Sequence, residues 1–169
     1  MNRPALLLSI VLAVSVACGD DGGGDSGAGG PAVFALRPVI DVSEPPCPGK
    51  GPGDGVDVFP ERRDGKVAAC LTVGPPIVDA ADVRSASLGD LESGGKAVGI
   101  TLGRTGSTNL DNFAARSLGK RLALMVHGRL HRAPKVQSTT FYGRIEVVGL
   151  SDEEAAALFE DLRQRQDPS

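Results

Sequence analysis

Two histidines, His127 and His131, stand four residues apart, a spacing at which one helix face would offer both rings to a single metal ion. Gly128 and a strand-like alternation intervene here, and a third ligand would have to come from afar. The pair therefore reads as two histidines of a hairpin, and no metal site is expected. Residues 89–96 carry the outline of a phosphate loop, but Asp90 stands where the first glycine belongs and Ala97 replaces the hydroxyl that would hold magnesium. No Gly-x-Ser-x-Gly elbow occurs. No two acids are framed by apolar residues in the way that separates a general acid from a general base. The expectation is a protein with no catalytic residues and no cofactor.

One cluster of charge does stand out. Positions 112–145 hold no acid, yet they hold Arg116, Lys120, Arg121, Arg129, Arg132, Lys135 and Arg144, together with both histidines. Arg121, His127, Arg129, His131, Arg132 and Lys135 form the candidate binding patch. Strand alternation sets Arg121 and His127 opposite Leu122, Leu124 and Val126, which predicts a solvated face. Such a face would meet anionic lipid headgroups or acidic stretches of polypeptide, each nearby cation being worth about 1 kcal/mol at a charged membrane. The alternative is a solvated surface balanced by acids from other segments.

Composition narrows the classes further. The chain has 169 residues, 41% of them apolar and 23% charged, with a net charge of −3. That is one domain with an appendage. The charge balance does not suit a polyanion, and 4% aromatic content with no tryptophan offers no stacking platform for bases, so nucleic acid is not an expected partner. No window reaches the roughly 18 apolar residues of a membrane span.

Residues 1–17 read as an export signal: Arg3 near the start, an apolar run from residue 5, then the small residues Ser15, Val16 and Ala17. Cys18 follows directly. This arrangement resembles the lipobox of bacterial lipoproteins, in which the cysteine is lipidated and becomes the mature N-terminus; Ser15 departs from the usual leucine or valine. The alternative is ordinary cleavage after Ala17, leaving Cys18 a free thiol. Residues 18–32 are dominated by glycine and aspartate and have nothing to bury, as expected of a tether. The expected location is the cell membrane, lipid-anchored on its extracytoplasmic face. In that compartment disulfides persist, and once Cys18 is set aside Cys47 and Cys70 remain to pair. The alternative is two buried thiols that never meet. The Gly- and Pro-rich residues 48–64 between them read as a loop.

Residues 33–169 carry the folded pattern. Phe34, Leu36, Val39 and Ile40 suggest a strand broken by Pro38, and Val67, Ala69, Leu71 and Val73 a second, stopped at Gly74-Pro75-Pro76. Residues 82–88 read as extended. Val98, Ile100 and Leu102 alternate as a one-faced strand. Hydroxyls at Thr105, Ser107 and Thr108 offer an N-cap for a helix whose face is Leu110, Phe113, Ala114 and Leu118, with Gly119 as its stop. Leu122, Leu124 and Val126 alternate before a His127-Gly128 turn, Leu130 opens the return strand, and Ile145 and Val147 mark another. Ser151-Asp152-Glu153-Glu154 is a capping box that opens a helix with the stripe Ala155, Leu158, Phe159 and Leu162. One-faced helices and strands together predict an α+β two-layer sandwich, with a mixed or antiparallel sheet and two helices.

Several of these motifs occur in a familiar order: Leu71-Thr72-Val73-Gly74-Pro75-Pro76, residues 98–102, the Phe113 helix, residues 122–126, Gly128, Ala133-Pro134, Gly143-Arg144-Ile145, Gly149 and the acidic-capped helix. That order resembles the head portion of the large periplasmic domain of SecD, the membrane subunit that assists the bacterial protein-export channel, over residues 34–166. His127 departs from the family's Asp or Asn at the turn, and Arg132 from its neutral residue. SecD's ionisable transmembrane helices and the base of its periplasmic domain have no counterpart here, so the resemblance implies a head without energy coupling. Joined to the lipobox reading, it implies a non-catalytic lipoprotein whose partner is polypeptide or a translocon-associated protein, accessory to export or envelope assembly. The alternative is a small-molecule-binding or enzymatic envelope protein on the same scaffold.

Overall fold

The computed structural model describes residues 32–166. The signal segment, Cys18 and the tether as far as residue 31 lie outside the described residues. The first elements are β1 (Phe34–Ser43), β2 (Asp57–Arg63), β3 (Lys66–Val73) and β4 (Val78–Asp79). A single 3-10 turn leads to β5 (Val83–Asp90), β6 (Lys96–Leu102) and α1 (Arg104–Arg116). Then come β7 (Leu122–Val126), β8 (Arg129–Arg132), β9 (Arg144–Val148) and α2 (Asp152–Gln166). Every strand pairing is antiparallel. The class is α+β with two helices, and the strands divide into two sheets, β2-β3-β1-β7-β8 with β4 beside β1, and β5-β6-β9.

The main core lies between these sheets and the helices. Phe34 and Leu36 of β1, Leu122, Leu124 and Val126 of β7, and Val98, Ile100 and Leu102 of β6 meet Leu110 and Ala114 of α1 and Ala155, Leu158 and Leu162 of α2. The alternation read from the sequence thus points the expected residues inward. The capping box forms as expected: the Glu154 carboxylate accepts from the Ser151 N–H at 2.9 Å, and the Ser151 hydroxyl accepts from the Glu154 N–H at 3.2 Å. The Ser151 N–H and hydroxyl, each donating to that carboxylate at 2.9 Å, hold the Glu154 carboxyl below its ordinary range.

Four local expectations are corrected. Pro38 does not break β1. Its carbonyl accepts from Gly74 N–H at 2.9 Å, and the donor it lacks falls on the edge facing the Gly74-Pro75-Pro76 break, where no ladder requires it. There β1 leaves β7, which it pairs through Pro38, and joins β3 from Val39 onward across an irregularity at Ile40. Ile40, at that irregularity, is 60% exposed. Second, α1 starts before the predicted hydroxyls, with Gly103 as an N-cap that uses no side chain; the Gly103 N–H donates to Asp82 O at 2.7 Å, so the preceding turn sets the start. Third, Leu118 falls beyond the helix and is 55% exposed, because the chain exits through Ser117 and a left-handed Gly119 whose N–H donates to Val136 O.

The fourth correction matters most for function. Residues 48–64 are not all loop: β2 occupies Asp57–Arg63 and pairs with β3 through an Asp64-Gly65 turn in which both residues have positive φ, the type I′ geometry that suits a tight hairpin. The β2–β3 hairpin folds across the other face of β7. A second apolar cluster forms there from Ala35, Leu71, Val73, Ala123, Met125 and Ala133, flanked by Phe59 and Leu130. The face of β7 opposite Leu122, Leu124 and Val126, expected to be solvated, is therefore buried along its whole length.

Candidate functional site

With β7 covered on both sides, the larger sheet exposes its main chain only at its edges. In the order β2-β3-β1-β7-β8 the end strands are β2 and β8. The sheet curls so that these two strands approach each other. No ladder joins them among the described residues, so both carry an unpaired main-chain edge. Between them lies an open cleft of about 700 Å³, lined by residues 59–63, Arg121 and residues 128–134. The Asp64-Gly65 turn places β2 on one wall, and the His127-Gly128 turn, again with both residues at positive φ, places β8 on the other.

One clamp spans this seam. The Arg121 guanidinium meets the Glu61 carboxylate with both of its terminal nitrogens, Nη1 to Oε2 being 3.1 Å, and its Nε donates to Ala133 O at 2.8 Å. The two side chains are only 22% and 19% exposed. Hydrogen bonding from Arg121, reinforced by its charge, holds the Glu61 carboxyl below the ordinary carboxylate range despite the burial that opposes it.

The structure does not gather all six candidate patch residues at one place. Arg121, Arg129, His131 and Arg132 line the seam. His127 turns instead toward α2, its Nε2 standing 2.9 Å from an Asp161 carboxylate oxygen. His131 Nε2 lies 3.0 Å from Val148 O, and Arg129 and His131 both act electrostatically on Glu154. The Arg132 guanidinium packs over Gly149, filling the space a side chain there would need. Lys135 borders a different cleft of about 440 Å³, floored by Leu36, Leu110, Leu122 and Leu124. The connection over that cleft is pinned to α1, where an Asp111 carboxylate oxygen accepts from Phe141 N–H at 2.7 Å.

Sequence reasoning missed the other wall of the seam. Phe59, Glu61, Arg62 and Arg63 all come from β2. The signal that would have found them is Asp64-Gly65, a hairpin dipeptide immediately before a clear strand. Cys47 and Cys70 are disulfide-bonded, tying the loop before β2 to the middle of β3. Among the described residues, no group of three or more His, Cys, Asp or Glu is placed to hold a metal, and no helix is long and apolar enough to cross a membrane.

Known proteins share this arrangement. Residues 57–164 match the family model of the SecDF P1 head subdomain. The protein translocase subunit SecDF of Thermus thermophilus is 29% identical over 85 residues, an alignment that covers 50% of this chain and 12% of that protein. A solved structure of SecDF, described as a membrane component that enhances protein export, superimposes with a TM-score of 0.56 at 22% identity, over 80% of this chain and 63% of that one. SecDF in its super-membrane-facing form gives 0.57 at 23% identity, over 80% of this chain and 19% of the other. These superpositions show the shared fold, and the chain spans a small part of the full translocase subunit. The family model, which takes in the strands from β2 onward, the seam and nearly all of both helices, carries the assignment: the chain belongs to the SecDF P1 head subdomain family.

Proposed function

We propose that this protein is a non-catalytic, extracytoplasmic lipoprotein that holds polypeptide through its SecDF-type head, as an accessory to protein export or envelope assembly. The observation that carries the reading is the pair of unpaired strand edges facing each other across the β2–β8 seam. Main-chain edges bind extended polypeptide with little regard to sequence, because every residue of a guest offers the same N–H and C=O groups. A protein that meets many different exported chains needs that tolerance. Membership in a family named for a protein-export component supports the same partner class.

The proposed anchor is lipid on Cys18 after removal of residues 1–17, with the Gly- and Asp-rich residues up to 32 as the tether. Intact mass of the protein from the membrane fraction tests this, and an unmodified Cys18 or a retained Met1 would sink it. Photocrosslinking in cells from a probe at position 130 tests the partner class. Recovery of translocon subunits or diverse exported chains supports it, while a single enzyme or no product counts against it.

The rival reading, a small-molecule role, draws on one feature, the leucine-floored cleft beside Lys135 and Arg144. Its shape and apolar lining fit a compact apolar ligand. Co-purification of a defined small molecule, displaced when Leu110 is enlarged to Phe, would favour that reading.

A further inference from the structure

We infer that the β2–β8 seam selects acidic, extended polypeptide segments. The inference rests on the polypeptide reading above and names the class of segment bound. Arg62 and Arg63 stand on the β2 wall, Arg62 also donating from Nη1 to Gly65 O at 3.2 Å, and Arg129 stands on the β8 wall, while the Arg132 guanidinium is turned over Gly149. Among the described residues the one acid lining the cleft is Glu61, and Arg121 already engages it. Beyond the rim, Glu154 lies close enough to act on Arg129 and His131, and Asp161 is paired with His127. Asp64 sits in the turn that ends β2, with Lys66 just past it. Among the described residues the balance inside the seam remains positive. These arginines come from segments 60 or more residues apart in the chain, and only the folding of the β2–β3 hairpin over β7 makes them one site.

The floor and walls define the rest of the guest. Phe59 and Leu130, half-buried against the second core, provide an apolar floor. Four successive antiparallel ladders separate β2 from β8, so the two edges run in the same sense. A guest antiparallel to one wall is therefore antiparallel to both. A strand alternates its side chains between opposite faces, so a segment alternating apolar and acidic residues sets one face on Phe59 and Leu130 and leaves carboxylates near the flanking guanidiniums. A flat bilayer cannot reach this floor, which favours a chain over a lipid surface.

The test uses the full chain and three labelled, unstructured peptides of equal length, in which leucine alternates with Asp, Ser or Lys. Fluorescence anisotropy should show the Asp peptide binding about tenfold more tightly than the Ser peptide at low salt, with the preference collapsing as salt screens the exposed charges. R62Q/R63Q/R129Q should erase the preference while retaining binding of the Ser peptide. The corresponding threefold lysine variant should restore it, which guards against a Gln variant that fails to fold. Equal binding of the Asp and Ser peptides overturns the charge selection and leaves the polypeptide reading standing. Failure of all three peptides to bind overturns both. Arginine-dependent binding of anionic vesicles without any advantage for the Asp peptide overturns it in favour of lipid headgroups.

Discussion

The Glu61–Arg121 clamp offers the sharpest test of how the seam is held. The two residues lie 60 positions apart, and their side chains are about one-fifth exposed. Exposed ion pairs contribute about 0.2–1 kcal/mol, whereas removing one partner of a fully buried pair costs about 3–5 kcal/mol. The clamp lies between these limits. Glu61→Gln keeps the shape and one hydrogen-bond acceptor, and is expected to cost about 1–2 kcal/mol. Arg121→Met removes the bond to Ala133 O as well and strands a largely buried carboxylate, so about 2–3 kcal/mol is expected. The double variant should cost less than the sum of the singles, because nothing is then left unpaired. Acid should reveal the same coupling. The Glu61 carboxyl titrates lower in the folded state than in the unfolded chain, where the ordinary value is about 4.3. Its contribution is therefore present above that value and fades as pH falls through the depressed folded one. Urea unfolding followed by far-ultraviolet circular dichroism, at neutral pH and at successively lower values, measures both effects. Wild type and E61Q should converge as the solution is acidified. Single variants within about 0.3 kcal/mol of wild type, or a gap that persists unchanged into acid, would refute the reasoning.

Other outcomes follow from packing. Replacing both Cys47 and Cys70 by Ser opens a crosslink between residues 23 apart in sequence, and loop entropy puts the loss near 3 kcal/mol; a reductant titration of the wild type should reach the same unfolding midpoint. Gly106→Ala raises helix propensity by about 1 kcal/mol, yet its Cβ would stand 2.6 Å from the Asp82 Cβ, so a net fall in melting temperature is expected. Leu158→Ala removes a fully buried side chain from the main core and should cost about 2–5 kcal/mol by the same urea assay. A loss below about 1 kcal/mol would mean that α2 is not seated on the core as described.

Where sequence reasoning succeeded, the information was local. The capping box at Ser151 and Glu154 needs only four consecutive residues. The His127-Gly128 turn and the alternation of Val98, Ile100 and Leu102 are equally short in range. Where it failed, a second segment had to arrive. Leu122-Ala123-Leu124-Met125-Val126 was read by alternation as one-faced, although its unbroken apolar run is the mark of a strand buried on both sides. Pro38 looked like a stop because its tolerance depends on which edge β3 and β4 leave empty.

By itself the sequence settled the class of fold, the two helices and most of the strands, because periodicity and capping are properties of neighbours along the chain. It also singled out the cations of β8 and its surroundings. Only the tertiary structure decided that Arg129 stands opposite Arg62 and Arg63 across a cleft, while the Arg132 guanidinium turns over Gly149 and His127 and Lys135 go elsewhere. The physical reason is that the seam depends on where the β2–β3 hairpin lands. Its landing is set by the joint burial of Leu71, Val73, Ala123 and Met125, a balance of non-directional apolar contacts that no single stretch of sequence encodes.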